Sequence, residues 1–169
     1  MTMLDAPAAL ARLAKPWSDA YGNSKLLPTI VQFAHVAALL FAGGLAVTLD
    51  RVTLRAARGS ADVRARQIDD LGAAHRFVLW GLTLSLLSGV LLFAADIDTF
   101  WNSWVWWTKA AMIVLLLING WVMTRREAQV RGNPSAVDAT WAGLRFNAIV
   151  SIVLWFAITL AGVALTNIS

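Results

Sequence analysis

Four apolar runs, at about 27–50, 76–95, 103–124 and 144–166, constrain this chain more than any other feature of its sequence. Each has about 20 residues or slightly more, enough to cross roughly 30 Å of hydrocarbon at 1.5 Å per residue. Lipid offers the backbone no hydrogen-bond partners, so each run must be helical. Composition points the same way. Of 169 residues, 59% are hydrophobic and 14% charged, and the mean hydropathy is +0.64; soluble domains are nearer about a quarter charged. The expected fold is all-α: an integral membrane, up-down four-helix bundle over 27–166, preceded by a separate segment, 1–26.

Charge then sets the orientation. Segment 51–76 carries Arg51, Arg55, Arg58, Arg64, Arg66 and Arg76, and segment 125–145 carries Arg125, Arg126, Arg131 and Arg145. The opposite side has Arg12, Lys15 and Lys25 and a short turn with Asp96 and Asp98. An excess of arginine marks the cytoplasmic side. Both arginine-rich loops are therefore expected in the cytoplasm and both termini outside, which in a bacterium places the protein in the inner membrane with periplasmic termini. The sequence pI of about 10.3 does not imply nucleic acid, because the basic residues are not gathered on a soluble domain. The arginines are also available to anionic lipid. There are no cysteines, which excludes disulfides, thiolate metal sites and c-type haem attachment.

Segment 1–26 lacks the basic start and apolar run of a secretory signal. Leu10, Leu13 and Trp17 recur at helical spacing beside Arg12 and Lys15, so an interfacial amphipathic helix and an unstructured tail are both open. Pro28 opens the first span, where its missing N–H does no harm.

Helices in lipid associate through small residues and a few polar contacts. Gly81, Ser85 and Gly89 form such a stripe in the second span, with Ser88 beside them. Ala38, Ala42 and Ala46 line the face of the first span that carries His35. An ionisable residue inside a span is a functional-site hypothesis by default. His35 is the one imidazole at depth, and imidazole is a common ligand of haem iron. The alternative is a neutral histidine bonded to a carbonyl or hydroxyl on a neighbouring helix. Lys109, at a similar depth in the third span, either snorkels to the interface beside Trp101, Trp104, Trp106 and Trp107 or faces inward to bind an anionic group. Asp50 sits where the first span ends and is expected to pair with Arg76 or Arg145, because an acid there opposes the helix dipole. With Arg51, His75, Asn119 and Asn147 these residues are expected to form a second polar layer near the arginine-rich loops.

The stretches "FAHVAALLFAGG", "RFVLWGLTLSLLSGVLLF", "WWTKAAMIVLLLING" and "LRFNAIVSIVLW" resemble the four-helix core of CopD-type copper-resistance membrane domains and related small bacterial four-span proteins. More distantly they are similar to HemJ-type protoporphyrinogen oxidases. The resemblance covers about residues 27–165 and rests on His followed by Gly-Gly, a Ser-Gly, a Trp-x-Lys and an Arg-x-Asn. It implies b-type haem with His35 as axial iron ligand and Lys109 as its companion in the third span. Ala148 stands where the HemJ pattern has an acid, so the resemblance does not extend to porphyrinogen oxidation. The leading expectation is a haem-binding electron-transfer or redox protein that meets membrane lipid and other membrane redox subunits. The alternatives are a non-catalytic accessory subunit and a copper-handling protein. No catalytic residue is assigned, and whether the chain is an enzyme is left open.

Overall fold

The computed structural model describes residues 8–132 and 137–168, as six helices: α1 (Ala8–Asn23), α2 (Leu26–Ala56), α3 (Ala61–Ala95), α4 (Ile97–Asn102), α5 (Trp104–Gly132) and α6 (Val137–Ile168). The first seven residues of the N-terminal segment and positions 133–136 of the second arginine-rich loop lie outside the described residues. Four helices are long and apolar enough to cross a membrane: α2, α3 and the spans Trp104–Arg131 of α5 and Ala139–Leu165 of α6. Together they make the all-α four-helix bundle.

Burial is inverted relative to a soluble protein. Phe33, Trp80 and Leu160 are about 70% exposed, at 73%, 70% and 69%. The interior instead holds Asp50, Thr53, Gln67, Ser85, Ser88, Asn119, Glu127, Asn147 and Ser151. A lipid solvent produces this arrangement, since apolar side chains gain nothing by leaving it and polar ones must find partners inside.

All four long helices extend past the apolar runs at the arginine-rich end. The largest extension is in α3, whose first fifteen residues, 61–75, include Asp62, Arg64, Arg66, Asp69 and Asp70. At 1.5 Å per residue its 35 residues reach about 52 Å, well beyond roughly 30 Å of hydrocarbon. An apolar cluster of Ala56, Ala57, Ile68, Leu71, Met123, Trp141 and Leu144 packs these extensions together. Gln67 ties α3 to α2 there, donating to Thr53 Oγ1 at 2.9 Å and to the Leu49 carbonyl at 3.4 Å.

Three of the four seams around the bundle are closed: α2 with α3, α5 with α6, and α2 with α6. Glycine permits the first and third. A Cβ at Gly81 would lie 2.7 Å from Ala42 Cβ, and one at Gly43 would lie 2.9 Å from Cε3 of Trp155. The expected small-residue stripe of the second span thus faces α2. The fourth seam, between α3 and α5, is barely packed. Polar contacts bridge it near the arginine-rich end. Arg131 lies over Gly72, donates to the Ile68 carbonyl at 2.8 Å and stands 3.6 Å from Asp69. His75 Nε2 is 3.1 Å from Thr124 Oγ1.

The tryptophan-rich end is closed differently. Phe93 stacks on Trp106 with centroids 4.5 Å apart, and Trp107 meets both Trp101 and Trp106 edge-on. Helix α1 lies against α3, where Trp17 Nε1 and Ser18 Oγ donate to the Leu91 and Ala95 carbonyls, each at 2.8 Å. Segment 1–26 is therefore helical over Ala8–Asn23, and its Leu13 is 80% exposed.

Candidate functional site

Two polar layers occupy the interior. The first is built around His35. Nδ1 of its ring is 3.0 Å from the Ser85 carbonyl and 3.0 Å from Ser88 Oγ, both on α3. A carbonyl only accepts, so the first contact requires the hydrogen on Nδ1 and leaves Nε2 with its lone pair. Among the described residues Nε2 has no hydrogen-bond partner in the structure. The ring sits where it does because Gly89 has no side chain: a Cβ there would lie 3.3 Å from His35 Cε1. Lys109 is half-buried, not fully turned to the interface. Its Nζ would be 3.4 Å from a Cβ at Gly162, and its charge is close enough to act on His35. The structure thus brings His35 and Lys109 into one layer, walled by Ser85, Ser88, Gly89 and Gly162.

Asp50 lies about 22 Å further along α2 at 1.5 Å per residue, in the second layer. A cavity of about 330 Å³ opens there, enclosed by all four long helices. The apolar part of its wall is mostly leucine and tryptophan, and Asp50, His75, Asn119, Thr124, Glu127 and Ser151 are the polar members. It shares His75, Leu79, Thr124 and Glu127 with an outer groove of about 720 Å³ that runs along the open α3/α5 seam. Asp50 is 3% exposed and Glu127 5%. Ser151 is near enough to hydrogen-bond Asp50, but Asp50 Oδ2 and Glu127 Oε1 are buried with no hydrogen-bond partner. Arg131, one turn beyond Glu127 on α5, lends it a nearby positive charge.

The expected cationic partner of Asp50 is not there. Arg76 is exposed and lies over its neighbour Phe77, with 5.3 Å from Cζ to the ring centroid, and Arg145 and Arg51 are exposed. The reason is helical register: Asp50 points at α6 and Ser151, whereas the three arginines point outward. Asn119 and Asn147 do join, but to each other. Asn119 Nδ2 donates to the Asn147 carbonyl at 3.0 Å, and Asn147 Nδ2 donates to Asn119 Oδ1 at 2.6 Å. Arg126, lying over Gly143, donates to Asn147 Oδ1 and completes a clamp between α5 and α6.

Glu127 is the residue that sequence reasoning missed, and Arg126 enters it only as a determinant of orientation. Both lie past the end of the third apolar run, where α5 continues as helix. Asn119, Met123 and Glu127 follow one another at four-residue spacing, which is one face of a continuing helix, and that spacing was the available signal. Among the described residues no three His, Cys, Asp or Glu side chains converge closely enough to hold a metal ion. No family model, no curated protein and no solved structure matches the chain.

Proposed function

We propose that this chain binds a flat, apolar redox ligand, b-type haem in the first instance, in its tryptophan-side half, with His35 as the axial ligand. The observation that supports it is the orientation of the His35 ring. Histidines that bind iron or another metal usually donate the far ring N–H to a carbonyl, which fixes the tautomer and aims the other nitrogen. The Ser85 carbonyl fills that role here, and Nε2 is left to bind. The residues fit such a group at one bond, and no second His stands in this layer. Lys109 would pair with an acidic substituent of the ligand. Haem, when bound, supplies one-electron chemistry at its iron. The role is electron transfer, with other membrane redox subunits as partners. The arginine-rich end faces the cytoplasm of a bacterium, in the inner membrane, and both termini are periplasmic. A cysteine at Ser60 then resists impermeant thiol reagents in intact cells, and one at Ser169 reacts.

The absorption spectrum of the purified chain tests the reading. A Soret band is expected in the wild type and lost in His35→Ala, while the variant still inserts. Lys109→Ala should retain haem more weakly, since one interface-proximal charge pair is worth only about 1 kcal/mol. A haem-loaded His35→Ala protein would sink the assignment. A second reading has its own support: the Ser85 contact also locks α2 to α3, and neither of the two cavities described above reaches His35. In that reading the chain is a non-catalytic accessory subunit, and the folded wild type has no Soret band.

A further inference from the structure

We propose that the cavity at the arginine-rich end is a second, independent binding site, and that it takes an apolar organic cation: one ammonium group carried on a body the size of a single ring. Asp50 carries the argument. It is only 3% exposed, it stands in the cavity wall, and its Oδ2 has no partner. Burying a carboxylate oxygen without a partner is costly, and buried acids are ordinarily paired. Among the described residues no cation answers it: Ser151 is near enough to hydrogen-bond it, and the arginines expected to pair with Asp50 point outward. Glu127, 5% exposed and with Oε1 unpartnered, adds a second acid to the same wall.

The rest of the wall decides which cation. A small divalent ion is ordinarily held by several carboxylates, and among the described residues no three His, Cys, Asp or Glu side chains converge. Most of the lining is apolar: Leu49, Leu82, Leu116 and the buried indole of Trp155 are among it. An ammonium with an apolar body matches both parts, the charge lying against the acid and the body against leucine and indole. A volume of about 330 Å³ suits one small ring with its headgroup. The route in is the unpacked α3/α5 seam, where the outer groove is flanked by Leu79 and Trp80, 48% and 70% exposed. Such a ligand partitions into the bilayer and reaches the seam from there.

Equilibrium dialysis of the full chain in nanodiscs, with labelled benzyltrimethylammonium as the probe, tests this. The fixed charge of the probe removes any ambiguity about its protonation. One saturable site is expected on the wild type, not displaced by a hundred-fold excess of sodium. Asp50→Asn should weaken binding at least about tenfold, a loss of roughly 1.4 kcal/mol. Glu127→Gln should weaken it less, because Arg131 already offsets that charge. Leu82→Trp, which fills the cavity from its apolar wall and keeps both acids, should abolish binding in a protein that still melts cooperatively. No saturable site on folded wild type, displacement by sodium, or unchanged binding in either Asp50→Asn or Leu82→Trp would each overturn the proposal. A Soret band, present or absent, has no bearing on it.

Discussion

The two polar layers of this bundle solve the same problem in opposite ways. Around His35 the polar groups are supplied locally: the ring is held by Ser85 and Ser88, and Ser88 Oγ also donates to the Leu84 carbonyl at 2.7 Å. Glycine brings the helices close, at Gly89 against the ring and Gly81 against Ala42. Around Asp50 and Glu127 the helices stand apart, and two carboxylate oxygens are left without hydrogen bonds beside a cavity. Close approach and polar satisfaction go together because a hydrogen bond needs its partner within about 3 Å. Where α3 leaves α5, that distance is lost. The difference teaches that the His35 contacts stabilise the assembly, as the asparagine clamp does, whereas the two acids of the cavity wall are held by it.

Substitutions should respond accordingly, and thermal melting of the detergent-solubilised protein reads all of them. The largest effect is expected at Gly81. Gly81→Leu places a side chain where even a Cβ meets Ala42 at 2.7 Å, and overpacking of this kind costs about 1–3 kcal/mol or more. Gly120 has nothing within 4 Å of its Cβ position, so Gly120→Ala should be neutral or stabilise through helix propensity by up to about 1 kcal/mol. Equal effects at the two glycines would erase the distinction between packed and open seams.

Next comes the asparagine clamp. Asn119→Ala leaves Asn147 Nδ2 buried without its acceptor, and a loss of about 1–3 kcal/mol is expected. Asp50→Leu should reverse the sign. It removes a buried acid with an unpartnered oxygen and has an adjoining cavity to grow into, so the melting temperature should rise, by an amount equivalent to about 1 kcal/mol. A fall as large as that of Asn119→Ala would mean that Asp50 is a structural residue like the others. Arg131→Ala should have the smallest effect, below about 1 kcal/mol, since its side chain is 51% exposed and Asp69 81%. Its sharper signature is faster hydrogen exchange at the ends of α3 and α5 that flank the groove.

The sequence made most of the fold legible, for a physical reason: a lipid solvent allows few answers. Four apolar runs had to be four helices, and the stripe Gly81–Ser85–Gly89 had to face a neighbour. Helix ends on the arginine side were not legible from hydropathy, because there α2, α3, α5 and α6 leave the apolar runs while continuing as helices. That hid Glu127, whose face is set by the extension of α5. His35 and Lys109 could be placed by depth along their helices. The partner of Asp50 could not, because depth fixes level but not rotation: the arginines at its level point outward while Ser151 faces it. Nor does hydropathy say which of four seams stays open; that depends on which small residues meet across it.

The unequal seams also divide the molecule mechanically. Helices α2 and α3 form one leaf and α5 and α6 another, bound together along α2 and α6 like pages along a spine. The free edges, α3 and α5, are fastened near the arginine-rich end by Arg131 on the Ile68 carbonyl and by Thr124 beside His75. Separating those edges at that end breaks a few polar contacts and draws Ile68 and Leu71 away from the shared apolar cluster, whereas separating the leaves at the spine would uncover Gly43 and Trp155 over a longer seam. The softest motion of the bundle is therefore a parting of α3 from α5, which widens the space beside Asp50 and leaves the His35 contact with α3 intact, because both of its partners belong to the same leaf.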